Sequence, residues 1–464
     1  MTGQVAPTDG GTEFLLESAA DEVRAKLPAS AVHFQTAREV LPGGTSRARF
    51  WWPIPIYLEH GSGAHVTDID GNQYIDCNLG FGSMILGHRH PAVESALAQQ
   101  LSRGLFFGAA TTSELTLAEL LVEYVPGAER IIFNNSGSEA TGAALRIARA
   151  ATGREKIAKF EGGWHGITEN LVHSYTSVGG MPELPAVIPE MPGIPAAVSA
   201  TTIVLPFNDR RAFDIMKREA DDLACVIVEP VQGGAGAMPA HREFLHELRQ
   251  LCTDLGVLLV MDEVITGFRV GPRSGSGYYG VTGDLVTLGK ILGGGLPVGA
   301  VCGRADLIDV TLPVLAHERP ARRPVNVTGT FSGNPMTTVA GYAQLATLLD
   351  DQDSYSRLAA LGDQLRDGLA AALADLGIAA HVTGIGSIWG LHFSASEPSS
   401  VRDKQRDNQT ASRLLAAYLL AEGVLMSAPV HLSFVSTAHD SADIDAVLAA
   451  HRRALARMKE EGCI

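Results

Sequence analysis

The sequence predicts an α/β protein built on a mostly parallel β-sheet covered by helices on both faces. Continuous apolar runs recur through the middle of the chain: RIIFNN at 130–135, ACVIVEP at 224–230, GVLLVMDE at 256–263 and DLVTLG at 284–289. Helical patterns separate several of them. A strand covered on both faces is apolar throughout, whereas a strand wetted on one face alternates, so these runs belong in a buried parallel sheet.

Bulk composition bounds what such a protein does. With 464 residues, 46% hydrophobic and 19% charged, the chain can bury a large core, and its length predicts two or three domains. A formal charge of -15, from 51 acidic and 36 basic residues without a long basic run, argues against nucleic acid or an anionic membrane as partner and points to small molecules. Cys77, Cys225, Cys252, Cys302 and Cys463 are widely spaced with no CxxC pair. That pattern predicts neither a metal site nor a disulfide framework and fits a reducing, cytoplasmic setting. The opening MTGQVAPTDGGTEF has no apolar stretch of signal-peptide type, and no run approaches the roughly 20 apolar residues of a membrane span.

Taken in order, PAVESALAQQLSRG at 91–104 reads as a helix: Pro91 sits in the first turn, Val93, Ala96, Leu97 and Leu101 repeat at helical spacing, and Gly104 ends it. His88 and His90 just before it read as turn residues. Residues 174–197 carry Pro182, Pro185, Pro189, Pro192 and Pro195, too many for a regular element, so a long loop is expected, either a binding lid or a solvated insertion. The tail at 440–461 spaces Ile444, Val447, Leu448, His451, Leu455 and Met458 as an amphipathic helix, with His451 packing rather than binding.

Ligands of open α/β sheets gather beyond the carboxyl ends of the strands, so the polar residues closing the apolar runs are the ones to collect. They are Asn134–Ser138, Glu229, Asp262 and Lys290. In FNNSGSEATGAALRIARAATG, a strand gives way through Asn135, Ser136, Gly137 and Ser138 to a small-residue helix, whose free N–H groups and positive end favour an anion such as phosphate. An ordinary serine N-cap is the alternative. Asp262 follows an apolar run, where a carboxylate needs a partner: a ring nitrogen's proton, a helix cap or a cation. Lys290 lies between an apolar run and three glycines, and a desolvated lysine has a lowered pKa and becomes a nucleophilic amine. Phosphate cup, carboxylate and lysine in this order fit one aldehyde cofactor, pyridoxal 5'-phosphate. EGGWHG at 161–166 adds Trp164 and His165 on a thin loop, where the indole could stack on a flat ring or simply pack a core.

These segments resemble the class III pyridoxal-phosphate aminotransferases, in particular the glutamate-1-semialdehyde aminomutases and the β-amino-acid (β-phenylalanine-type) aminotransferases. The resemblance runs from about residue 38 to the end, through LPGGTSRARF, DIDGNQYID, LGHRHPAV, NNSGSEA, KFEGGWHG, VEPVQGG, MDEVITGFRVG, TLGKILGGGLPVGA, GTFSGNP and FVSTAHDSADID. It implies fold type I: a large domain at 81–345 with a mostly parallel seven-stranded sheet, and a smaller α+β domain built from residues 1–80 and 346–464. It also implies a homodimer with shared active sites. Carried over residue by residue, Ser136, Gly137 and Ser138 hold the phosphate and Trp164 stacks on the ring, in a place where the family usually has tyrosine. His165 sits beside the ring, Glu229 lies near its phenolic edge, Asp262 binds the ring nitrogen and Val264 packs behind it. Lys290 forms the Schiff base and shuttles the proton, the glycines after it give the backbone room near the cofactor, and Thr330 reaches the partner's phosphate.

The substrate is less legible. In GGTSRARFWWPIP at 43–55 the resemblance makes Arg47 the carboxylate anchor, since a guanidinium binds a carboxylate bidentately, with Arg49 as rival. Phe50, Trp51 and Trp52 could line an apolar side-chain pocket or a dimer interface. Many ω-aminotransferases of this class carry a C-terminal arginine for the 2-oxo acid; residues 424–441 hold none, which resembles the aminomutase branch. Arg319, Arg322 and Arg323 before Thr330 could aid acidic substrates or be a solvated loop. The expected function is ping-pong transfer of the amino group of a carboxylate-bearing amino acid, a β-amino acid first, to a 2-oxo acid, with glutamate-1-semialdehyde 2,1-aminomutase as the alternative. A dinucleotide-binding reading of GSGYYG at 275–280 fails because no apolar strand precedes it, and a zinc hydrolase at HELRQ lacks its second histidine. A non-catalytic cofactor-fold protein is disfavoured by intact Lys290 and Asp262.

Overall fold

A computed structural model describes residues 10–47, 50–312, 323–426 and 432–464. Its largest sheet is formed by β1 (Arg130–Asn134), β2 (Lys156–Phe160), β3 (Thr202–Leu205), β4 (Leu223–Val228), β5 (Leu258–Asp262), β6 (Leu285–Gly289) and β7 (Gly299–Gly303). The seven strands lie in the order β1-β7-β6-β5-β4-β2-β3. Only β7 is antiparallel to its neighbours β6 and β1, so the sheet is mostly parallel. Every residue of β4 and β6 is buried, which is why these two read as continuous apolar runs. The sequence reading found four strands and passed over β2, β3 and β7: Lys156 and Lys159 break the apolarity of β2, and β7 is a short stretch between glycines.

Helix α1 (Pro91–Arg103) begins with proline at its first position, and the ring of His90 caps it by accepting from the Ala92 N–H at 3.3 Å. His88 is no idle turn residue either, since its Nε2 lies 2.7 Å from Asp76 Oδ2. Helix α2 (Gly137–Thr152) presents Ala140, Ala144, Ile147 and Ala148 to the sheet. The proline-rich 174–197 segment holds a two-residue antiparallel pair, Gly180–Met181 with Leu184–Pro185, and a single helical turn at Ala196–Ser199. Proline forbids a long ladder but not so short a pairing.

Both chain ends fold against one another. The strand Val424–Leu425 pairs in parallel with Gln73–Asp76, extending the sheet made by Leu58–Ser62, His65–Asp68 and Gln73–Asp76. Ala19, Val23, Leu27, Tyr74 and Cys77 share one buried cluster with Leu365, Trp389, Leu415, Val447 and Leu455. We propose this cluster as the core of the smaller domain, with boundaries near 80/81 and 345/346. The final helix, Ser441–Glu460, buries His451 against Trp389, its Nδ1 bonded to the Val447 carbonyl at 2.8 Å. Among the described residues no helix is long and apolar enough to cross a membrane.

Candidate active site

At the carboxyl ends of β1, β5 and β6 lies a cavity of about 210 Å³ whose walls include Ser136, Gly137, Ser138, Trp164, His165, Glu229, Asp262, Val264 and Lys290. Nine residues collected from five separate sequence segments thus face one space. The sheet brings them there, because parallel strands that start on one edge deliver their ends to the other.

Asp262, the last residue of β5, is 3% exposed and accepts three hydrogen bonds: from His165 Nδ1 at 2.7 Å, from the Val264 N–H at 3.1 Å and from the Thr287 hydroxyl at 3.1 Å. A carboxylate can accept about four, so one lone pair is left for a donor in the cavity. Thr287 escaped the sequence reading. It is the register partner of Asp262 on β6, a neighbour that only the sheet reveals, although its place three residues before Lys290 was a usable signal. Burial pushes the His165 imidazole below its ordinary range despite Asp262 beside it, so the ring stays neutral with its proton on Nδ1.

Lys290 follows β6 at φ 47°, a left-handed conformation that costs a non-glycine residue strain and recurs at functional sites. Its side chain is partly buried at the cavity wall and makes no hydrogen bond or ion pair among the described residues. Desolvation lowers its ammonium below the ordinary lysine range, opposed by the charges of Asp262 and Glu229. The three following glycines do not open the cofactor side as expected. A Cβ at Gly294 would lie 2.5 Å from the Ala340 carbonyl, so Gly294 admits the helix Pro335–Asp350 close behind the lysine turn, while Gly293 and Gly295 face Val298 and Met84.

Glu229, one residue past β4, accepts from the Trp164 N–H at 2.7 Å and the Gly233 N–H at 3.0 Å. Burial first, then the charge of Asp262, push its carboxyl up to about 8. Trp164 stands edge-on to Tyr175, their ring centres 4.6 Å apart. Val264 packs against Gly137, where a Cβ would lie 2.9 Å from Val264 Cγ1; glycine is therefore required at the cup. Ser136 caps α2 by accepting from the Glu139 N–H at 3.1 Å, and Asn135 donates to Glu139. Capping uses the Ser136 oxygen as acceptor and leaves its proton to donate, so the two readings of this serine coexist. Ser138 accepts from the Ile167 N–H at 3.2 Å.

Other expected residues lie elsewhere. Arg47 is exposed and outside the cavity wall, its guanidinium without a bond to any described residue. Thr330 is exposed too; Thr328 and Gly329 before it line a wider groove that shares Ser136 and Ser138 with the cavity. Arg49, Arg319 and Arg322 lie outside the described residues, and Arg323 is exposed. Phe50 packs on Phe81 with ring centres 4.8 Å apart, while Trp51 and Trp52 pack against the smaller core. The aromatic trio does not line the cavity. GSGYYG also has its explanation: the buried carboxylate of Glu263 occupies the start of that turn, accepting from the N–H groups of Gly275 and Ser276 and from the hydroxyls of Ser276 and Thr266. A side chain of the protein fills the place a phosphate would take.

A lone amine facing a carboxylate with one free acceptor position, a neutral histidine, a glycine-backed cup and an adjacent indole fit pyridoxal 5'-phosphate. Gly137 and Ser138 could hold its phosphate, Asp262 its ring nitrogen and Lys290 its aldehyde. With this sheet they define a fold type I pyridoxal-phosphate transferase. The aminotransferase class-III family model matches residues 48–439, and the chain belongs to that family. The chain is 39% identical over 429 residues to glutamate-1-semialdehyde 2,1-aminomutase of Methanothermobacter thermautotrophicus, covering 92% of this chain and 98% of that protein. It superposes on an ω-transaminase of Sphaerobacter thermophilus at TM-score 0.86 with 35% identity, covering 92% of this chain and 98% of that one. On a β-phenylalanine aminotransferase of Variovorax paradoxus the TM-score is 0.84 at 33% identity, covering 98% and 99%. The protein is a pyridoxal-phosphate enzyme.

Proposed function

We propose that the enzyme moves the amino group of a carboxylate-bearing amino acid, a β-amino acid first, to a 2-oxo acid in a ping-pong cycle. The observation that carries amino-group transfer is the unpaired amine of Lys290 in one cavity with Asp262, His165 and Glu229. When bound, pyridoxal phosphate supplies an electron sink for the bond broken at the amine-bearing carbon. Around it, Lys290 holds and returns the proton of that carbon, being the one amine among the described residues that line the cavity, its ammonium lowered below the ordinary lysine range by burial. Asp262 keeps a proton on the ring nitrogen and is itself oriented by His165 and Thr287. Glu229 fixes the Trp164 backbone and, with its raised pKa, offers a proton at the oxygen edge of the ring. Arg47 stays the anchor for the substrate carboxylate on the resemblance, since it lies outside this chain's own cavity wall. Thr330 would act across a homodimer, which fits its absence from this chain's own cavity.

The β-amino-acid preference is supported by the likeness to the β-phenylalanine aminotransferase and the ω-transaminase. The second reading, an aminomutase, is favoured by the 39% identity to the Methanothermobacter enzyme and by the lack of arginine in 424–441. A donor panel separates them. The cofactor's visible band should be lost on adding a β-amino acid alone and return with a 2-oxo acid. No lasting loss with any donor, together with isomerisation of glutamate-1-semialdehyde in the absence of an acceptor, would make the enzyme an aminomutase.

A further inference from the structure

Lys159 lies outside the cavity, on β2, and its side chain is wholly buried at 0% exposure. Its Nζ donates to the Gly163 carbonyl at 2.8 Å and to the His173 carbonyl. Burying an amine in a sheet is costly unless its donors are satisfied, and here the partners are main-chain oxygens, not carboxylates. Burial lowers this amine to about 7, and in either protonation state it keeps the two N–H donors that the two carbonyls take.

The Gly163 carbonyl belongs to the same peptide group as the Trp164 N–H, which donates to Glu229 Oε1 at 2.7 Å. One peptide plane is therefore gripped at both ends, by an amine on its oxygen and a carboxylate on its hydrogen. A donor on a carbonyl polarises the amide and strengthens its N–H as a donor, so the two bonds reinforce each other. Other bonds hold the turn on its near side: Gly163 N–H to the Phe160 carbonyl at 3.1 Å, Gly162 N–H to the Ser174 carbonyl at 2.8 Å and the Gln232 amide to the Glu161 carbonyl at 3.0 Å. His165 is held separately, its carbonyl by the Thr141 hydroxyl at 2.6 Å and its Nδ1 by Asp262 at 2.7 Å, while the Lys159–peptide–Glu229 chain holds the peptide between Gly163 and Trp164.

We propose that Lys159 is a positioning residue for the active site: its amine orients the Gly163–Trp164 peptide toward Glu229, which sets the placement of Trp164, and its bond to His173 ties that turn to the start of the proline-rich 174–197 loop. This rests on the reading of Trp164, His165 and Glu229 as cofactor contacts.

The test uses the apoprotein first. In Lys159→Met the backbone amide of Trp164, followed by hydrogen exchange with fragment-resolved mass spectrometry, should exchange at least about tenfold faster than in wild type, while amides of β4 keep their rates. Glu229→Gln should speed the same amide, and the double variant should be no faster than the faster single, because both ends hold one peptide. Pyridoxal phosphate affinity of Lys159→Met, by quenching of tryptophan fluorescence, should fall about tenfold. Unchanged Trp164 exchange in Lys159→Met, additive effects in the double variant, or equal acceleration in β4, which marks general destabilisation, would each overturn the proposal. If Lys159→Met does not fold, Lys159→Gln, which retains a donor, takes its place; failure of both would make the role global and refute it. Trp164→Ala separates the two claims: unchanged cofactor affinity there would sink the site reading while leaving the exchange result standing.

Discussion

Replacing Asp262 by asparagine tests the site most directly, because the substitution keeps shape and removes charge. The carboxylate accepts from His165 Nδ1 at 2.7 Å, the Val264 N–H and the Thr287 hydroxyl, with one acceptor position left for the cofactor's ring nitrogen. An asparagine has one accepting oxygen and an NH₂ that must face one of these four donors. If the oxygen stays with Val264 and Thr287, the amide meets His165, whose Nδ1 then gives up its proton and turns acceptor. The bond to the ring nitrogen changes from charge-assisted to neutral or is lost. A hydrogen bond to a charged group contributes about 1.5–3 kcal/mol and a neutral one about 1 kcal/mol, so losing one and weakening another costs cofactor binding about 1.5–3 kcal/mol. That is roughly a 10- to 150-fold weaker Kd. Titrating apoprotein with pyridoxal phosphate reads the affinity, and stopped-flow mixing with a donor reads the amino-transfer half-reaction, which should slow as well. Affinity within twofold of wild type together with an unchanged half-reaction would refute the role given to Asp262.

Four more expectations follow from the same geometry. Lys290→Ala should abolish turnover while leaving the melting temperature within a few degrees, since its amine bonds no described residue; retained activity would sink the mechanism. Arg47→Ala should raise KM for the amino donor by up to about a hundredfold with kcat little changed, as for one lost charged bond, and an unchanged KM would move the assignment to Arg49. Glu263→Ala strands the Gly275, Ser276 and Thr266 donors in the core. Its urea midpoint should drop by an equivalent of about 3–5 kcal/mol, and a change below about 1 kcal/mol would contradict the anion-nest reading. Glu229, raised from 4.5 to about 8, keeps in the folded apoprotein a proton that the unfolded chain releases. The native state then binds more protons, so stability falls as pH rises through that window. Glu229→Gln should flatten this fall between pH 5 and 8 in denaturation curves, and an equally steep fall in the variant would assign it to other groups.

Much of this protein was legible before any coordinates. Runs such as ACVIVEP and DLVTLG are apolar because both faces of their strands are covered, and a lysine or aspartate closing such a run is anomalous enough to mark a site. Residue type and order, with the resemblance they carry, were sufficient for the α/β class and for pyridoxal phosphate, and they picked out Lys290, Asp262, Glu229, Trp164 and the 136–138 segment, which the fold gathers around one cavity. Local pattern fell short where meaning depends on a partner far along the chain. Lys159 made β2 look polar, yet its amine is spent on two carbonyls inside the fold. Thr287 is unremarkable until sheet register sets it opposite Asp262, Gly294 serves a helix packed behind the lysine turn, and GSGYYG wraps a glutamate instead of a nucleotide. Phe50, Trp51 and Trp52 pack within the protein, where composition alone would allow a substrate pocket. Chemistry is written in residue identity, which the sequence states outright. Pairing, register and burial are properties of the folded chain as a whole, because they arise only when segments hundreds of residues apart compete for the same space and the same hydrogen bonds.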